Sequence, residues 1–87
     1  MASMVYVYIL QSGKDSKLYV GCTENLKLRF EQHARGYAET TKLRRPLILV
    51  YYEACLNKSD ALHREKYLKT AYGKRYIKKR LKSYFMG

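Results

Sequence analysis

Two runs of β-branched and aromatic residues, Val5-Tyr6-Val7-Tyr8-Ile9-Leu10 and Lys17-Leu18-Tyr19-Val20-Gly21-Cys22, flank the polar stretch Gln11-Ser12-Gly13-Lys14-Asp15-Ser16. Branched and aromatic side chains fit a pleated surface, and glycine, serine and aspartate supply turn backbone. The spacing therefore predicts a β-hairpin. Alternation puts Tyr6, Tyr8 and Leu10 on one face of the first strand, and Tyr19 with Gly21 on one face of the second. Tyr6 reads as a packing residue. Gly21, at a strand end, removes a side chain where another group comes close.

The rest of the chain follows in order. Thr23 reads as the N-cap of a helix over residues 24–34, with Glu24 in its first turn and Gly36 just past its end. Residues 35–46 form a mostly polar loop holding Thr40, Thr41, Lys42, Arg44 and Arg45. Its length in so small a domain makes it a candidate substrate-contacting loop. Residues 47–52 read as a third strand. Asn57 and Asp60 resemble a capping box that starts a helix over 58–72, Gly73 breaks it, and a basic helix covers 74–84. The order β-β-α-β-α-α predicts an α/β chain of the α+β type, with a three-stranded, mainly antiparallel sheet flanked by helices. One domain over residues 4–85 is expected, with the native start at Met1 or, if Met1-Ala2-Ser3 is an extension, at Met4.

Eighteen Lys and Arg residues stand against seven Asp and Glu, a formal charge of +11. An excess that large points to a polyanionic partner, nucleic acid first. No continuous apolar span supports a membrane. Cys22 and Cys55 are too few and too far apart for a disulfide framework or a zinc ribbon, and read as reduced thiols of a cytoplasmic protein. After Glu65 no acid follows, while Arg64, Lys66, Lys69, Lys74, Arg75, Lys78, Lys79, Arg80 and Lys82 alternate with tyrosines. Such a face wants phosphates. Lys42, Arg44, Arg45, Lys69, Lys74, Arg75, Lys78 and Lys79 are the candidate nucleic-acid contacts.

Polar residues that interrupt apolar faces are the sharpest signal. Glu65 falls within the stripe Ala61, Leu68, Tyr72, with Leu62 beside it, so its carboxylate points toward the sheet. A carboxylate there needs a cation: a basic side chain in a structural ion pair, or a hard metal ion. On the first helix Leu26, Phe30 and His33 share a face, and Arg29 lies beside it. That arginine needs an acceptor, Glu65 or a substrate phosphate. His63 reads as surface.

Tyr6-Val7-Tyr8 and Tyr19-Val20-Gly21, separated by residues 9–18, resemble the paired motif of the GIY-YIG nuclease superfamily, with Tyr6 and Val7 replacing the first glycine and isoleucine. The continuation through Arg29 and His33 is similar to that family's first helix, and Ala61-Leu62-His63-Arg64-Glu65-Lys66 to its glutamate-bearing helix. The likeness is to small single-domain bacterial members. It implies an endonuclease that hydrolyses DNA by water attack, leaving 3′-hydroxyl and 5′-phosphate ends. Tyr19 would be the general base or water-orienting phenol with Tyr8 beside it. Arg29 would offset charge on the phosphorus, and His33 would deprotonate or position the water. Glu65 would hold one Mg2+ or Mn2+ ion per site. Two departures stand out: Cys22 occupies a position where repair members often carry lysine, and the downstream asparagine is absent. Duplex, branched or nicked DNA is the expected partner, with RNA, a protein partner or a homodimer open. The alternatives are a non-catalytic DNA- or RNA-binding module and a subunit active only with a partner.

Overall fold

Strand β1 (Val5–Ser12) is the centre of the sheet because it can pair on both edges; the order is β2-β1-β3. The computed structural model describes residues 3–87, so Met1 and Ala2, and with them the choice of start, lie outside the described residues. Strands β2 (Leu18–Thr23) and β3 (Leu47–Cys55) both run antiparallel to β1. Tyr8 faces Gly21 and Leu10 faces Tyr19 across the hairpin. A register shift opposite Ile9 and Leu10 leaves Val50 as an extra residue in β3. The strands run longer at their C-terminal ends than the sequence predicts, and in β3 the extension brings in Glu53.

The period-2 pattern divides two cores between the two faces of the sheet. Val5, Val7 and Ile9 pack with Ala61, Leu68 and Ile77, so this face is covered by α2 (Lys58–Leu68) and α3 (Ala71–Arg80). Tyr8, Leu10 and Leu47 pack with Leu26 and Phe30, so the other face is covered by α1 (Leu26–Ala34). Each face buries apolar area that neither sheet nor helix could hide alone. The short helix α4 (Lys82–Met86) closes the chain, and Leu81 and Phe85 pack on the α2–α3 core. No helix among the described residues is long and apolar enough to cross a membrane.

Four local expectations are corrected. The N-cap of α1 is Asn25, whose side chain accepts the Leu28 N–H, and Glu24 lies outside the helix. Thr23 instead closes a small turn by accepting the Asn25 N–H. The helix predicted over 58–72 stops at Leu68. Thr70 caps α3 by accepting the Gly73 N–H, which places Tyr72 on the exposed side of a new helix, not in the α2 stripe. Gly73 does not break a helix; it is buried within α3, where a Cβ would meet the Tyr67 carbonyl and lie 2.5 Å from Leu68 Cα. Its lack of a side chain lets α3 turn back tightly against the end of α2. The predicted final helix over 74–84 is the rest of α3 followed by α4. The loop over 35–46 carries a single 3-10 turn, Lys42–Arg44.

Candidate active site

Because β2 is an edge strand, side chains from both faces of the sheet can reach around it into one cleft. Tyr8, Arg29 and His33 arrive from the α1 side, Glu65, Lys69 and Lys74 from the α2–α3 side, and Tyr19 from β2 itself. The cleft encloses about 480 Å³. The sequence-predicted residues Tyr8, Tyr19, Arg29, His33 and Glu65 all line it. Tyr6 does not; it lies farther along β1, edge-to-face with Tyr52 at 6.0 Å between ring centroids.

Gly21 explains how Tyr8 enters. Any Cβ on Gly21 would overlap the Tyr8 hydroxyl and Cζ, so the ring lies directly over the glycine of the neighbouring strand. The group that comes close is therefore a tyrosine side chain. The Tyr8 hydroxyl meets His33 Nε2 at 3.0 Å, and His33 Nδ1 meets the Thr41 hydroxyl at 2.6 Å. All three residues are buried, Thr41 completely. Burial first, and then the Arg29 guanidinium, hold the His33 imidazole below its ordinary value, so the ring is neutral at pH 7. Arg29 is half-buried and spends one guanidinium nitrogen on Gln32 Oε1 at 3.1 Å, leaving its other N–H groups for an anion.

Across the cleft, Glu65 keeps only 19% of its side chain exposed and pairs with Lys69 Nζ at 3.2 Å. That pair is the basic partner expected for an acid on an apolar stripe. Cys22 stands nearby. Burial first, and then the Glu65 charge, push its thiol up, so it stays protonated at neutral pH. Glu65 is the one carboxylate among the described residues lining the cleft, and no group of three or more His, Cys, Asp or Glu comes together among them. A single carboxylate does not suit zinc, which takes several nitrogen or sulfur ligands. It does suit a hard divalent ion that keeps several waters and takes further oxygens from a phosphate.

The candidate nucleic-acid contacts fall into two groups. Lys69 and Lys74 line the cleft, and Arg75, Lys78 and Lys79 are exposed on α3. On the loop, Lys42 pairs with Glu39 at 3.0 Å and Arg44 with Asp15 at 3.5 Å, while Arg45 Nε donates to the Lys42 carbonyl. These three spend part of their donor capacity within the protein. His63 is exposed, as expected.

Sequence reasoning named Thr41 only as part of a polar loop, yet its hydroxyl touches the catalytic candidate His33. Periodicity carries no information in a loop; the available signal was a threonine in a stretch too long to be idle. The Arg64–Glu53 pair was also missed. Arg64 donates through Nε and Nη2 to the two Glu53 oxygens at 2.9 Å each, and the Tyr51 hydroxyl donates to the same carboxylate. That network ties α2 to β3 and thereby fixes the helix that carries Glu65.

A family model described as the GIY-YIG catalytic domain matches residues 4–80. A UPF0213 protein of Staphylococcus haemolyticus is 47% identical over 66 residues, covering 75% of this chain and 79% of the relative. One from Clostridium perfringens is 48% identical over 67 residues, 76% of this chain and 71% of the relative. A Staphylococcus aureus relative, also described as a UPF0213 protein, is 46% identical over 66 residues, 75% of this chain and 79% of its own length. No solved structure matches the chain.

Proposed function

The chain belongs to the GIY-YIG family, a family of nucleases that act on DNA, and from that premise we propose that it is a metal-dependent endonuclease. It hydrolyses DNA phosphodiester bonds by attack of water and leaves 3′-hydroxyl and 5′-phosphate ends. The observation that carries the reading is the convergence of Tyr8, Tyr19, Arg29, His33 and Glu65 on one cleft from opposite sides of a sheet edge. A structural role alone gives no reason for two tyrosines, a cation, an imidazole and an acid to share an open pocket.

Each residue has a task that its surroundings allow. Arg29 offers free guanidinium N–H groups to the equatorial oxygens of the phosphate, where charge builds in the transition state. Tyr19 orients the attacking water, and Tyr8, held by His33, directs its hydroxyl at the same volume. Glu65 would hold a Mg2+ or Mn2+ ion, which when bound supplies charge to the phosphate and acidifies water. Lys69, now paired with Glu65, is the cation that must move when the carboxylate is needed; on release it becomes a phosphate contact. Lys74 and the exposed bases of α3 extend the grip along the backbone, which positions DNA without reading its sequence.

The Glu65–Lys69 ion pair also favours a second reading, a nucleic-acid-binding module in which that acid only braces α2. Cleavage by the purified chain separates the two. Plain, nicked and branched duplexes are incubated with Mg2+ or Mn2+, and the Glu65→Gln variant is compared in cleavage and in DNA affinity. The nuclease reading expects Glu65→Gln to lose about 100-fold or more in cleavage with DNA affinity kept. No cleavage of any DNA form by the wild type in either metal ion would leave the binding module, or a subunit requiring a partner.

A further inference from the structure

The His33 ring is bonded at both nitrogens to hydroxyl groups, and a hydroxyl can donate or accept. A neutral imidazole has one N–H and one lone pair, so only two arrangements exist. In the first, Thr41 donates to Nδ1 and Nε2–H donates to the Tyr8 oxygen, leaving the Tyr8 proton free. In the second, Tyr8 donates to Nε2 and Nδ1–H donates to the Thr41 oxygen, leaving the Thr41 proton free.

The surroundings of the two hydroxyls decide between them. Thr41 is wholly buried, and its hydroxyl has no other hydrogen-bond partner among the described residues. Its backbone is held in the loop, the N–H bonding to the Ala38 carbonyl and the carbonyl accepting from Arg44. The second arrangement strands a hydroxyl proton in a dry interior, which is costly. Tyr8 lines the cleft, where water or a phosphate oxygen can accept. The first arrangement therefore leaves only the Tyr8 proton without a partner in the protein, and that residue lines the cleft. A charged ring is opposed by burial and by Arg29, with Tyr8 and Thr41 its two hydrogen-bonded neighbours.

We propose that Thr41 is a positioning residue: by donating to Nδ1 it fixes His33 in the Nε2–H form, so that Tyr8 presents its own proton to the substrate. Neither ring nitrogen then keeps a free lone pair. His33 does not take a proton from water, and Tyr8 serves as a donor to a phosphate oxygen. The catalytic half of this assignment rests on the nuclease reading; the tautomer does not.

Two histidines make the test clean, because His63→Asn at an exposed site leaves His33 as the only one. Long-range proton–nitrogen correlation spectra of the nitrogen-15 histidine-labelled protein near neutral pH distinguish protonated from bare ring nitrogens. The expected result is a bare Nδ1 and a protonated Nε2. Thr41→Ser keeps that pattern, whereas the near-isosteric Thr41→Val removes the donor to Nδ1, moves the Nδ1 shift toward that of a bare nitrogen without a hydrogen bond, and lowers kcat about 10- to 100-fold at unchanged KM. A protonated Nδ1 in the wild type, or a Thr41→Val protein with an unaltered Nδ1 shift, would overturn the assignment. A wild-type protein with the Nε2–H ring that cuts no DNA would uphold the tautomer and overturn its catalytic role.

Discussion

Replacing Gly21 by alanine tests whether the position of Tyr8 is set by the neighbouring strand. The new Cβ would overlap the Tyr8 hydroxyl and Cζ and lie 2.9 Å from Cε2. Carbon atoms prefer separations of about 3.5–4.0 Å, so the ring must move by at least roughly 0.6 Å even at the most distant of these atoms. It has nowhere to go: Tyr8 is 4% exposed and its hydroxyl is tied to His33. Overpacking costs about 1–3 kcal/mol, and breaking a buried hydrogen bond adds about 1–3 more. With partial relief the expected loss is about 2–4 kcal/mol, a fall in Tm on the order of 10–25 °C for a domain of this size. The control is the same substitution in a Tyr8→Leu background. Gly21 is not among the positive-φ residues, so without the ring alanine should cost nothing or stabilise by roughly 0.4–1 kcal/mol through a less flexible unfolded chain. Urea unfolding of the four proteins closes the cycle. Equal costs in both backgrounds, within about 0.5 kcal/mol, would refute the argument that Gly21 exists to admit Tyr8.

Other predictions reach different parts of the molecule. Burial alone would raise the Glu53 carboxyl, but hydrogen bonds from Arg64 and Tyr51 outweigh it and hold it low, while Tyr51 is pushed up to about 12. Glu53→Gln should therefore cost about 1–3 kcal/mol in urea unfolding, and an unchanged midpoint would show that the network does not brace α2. The His33 value is depressed in the folded state from an ordinary 6.5, so the unfolded chain binds the proton first. Stability should be full above that value and fall as pH drops below it toward the depressed value. His33→Gln should flatten the urea midpoint between about pH 7 and pH 5. If roughly six basic side chains engage phosphates, DNA affinity should fall with salt at a log–log slope of about −5; a slope near zero would remove the electrostatic grip assigned to α3.

The strands and the acid were legible because their signals are periodic. Alternation around Tyr6 and Tyr8 locates β1, and the spacing Ala61, Glu65, Leu68 places an acid on an inward face. Errors came where a residue type has two uses. Thr23 and Asn25 are both capping residues two positions apart, and sequence alone cannot say which closes a turn and which starts a helix. Gly73 is a helix breaker by propensity, but the close approach of α2 to α3 makes its missing side chain necessary inside a helix. Thr41 was hard to read for a different reason: its burial depends on the loop folding back onto His33 of α1, which periodicity does not report.

The edge position of β2 reconciles two demands that a central strand could not meet. A Tyr8–His33–Thr41 chain keeps its proton arrangement only if water is excluded from Thr41, whereas the proposed nuclease function asks Glu65, Lys69 and Arg29 to reach a hydrated phosphate. On a central strand, the backbone of the sheet would separate these groups into opposite compartments. At the edge, the buried chain ends in a tyrosine that opens on the cleft, and the charged groups approach the same volume around β2. The dry half fixes geometry and the wet half supplies charge. It follows that substitutions in the dry half should disturb stability and turnover together, while those at Lys69 or Lys74 should alter DNA affinity with the fold left intact.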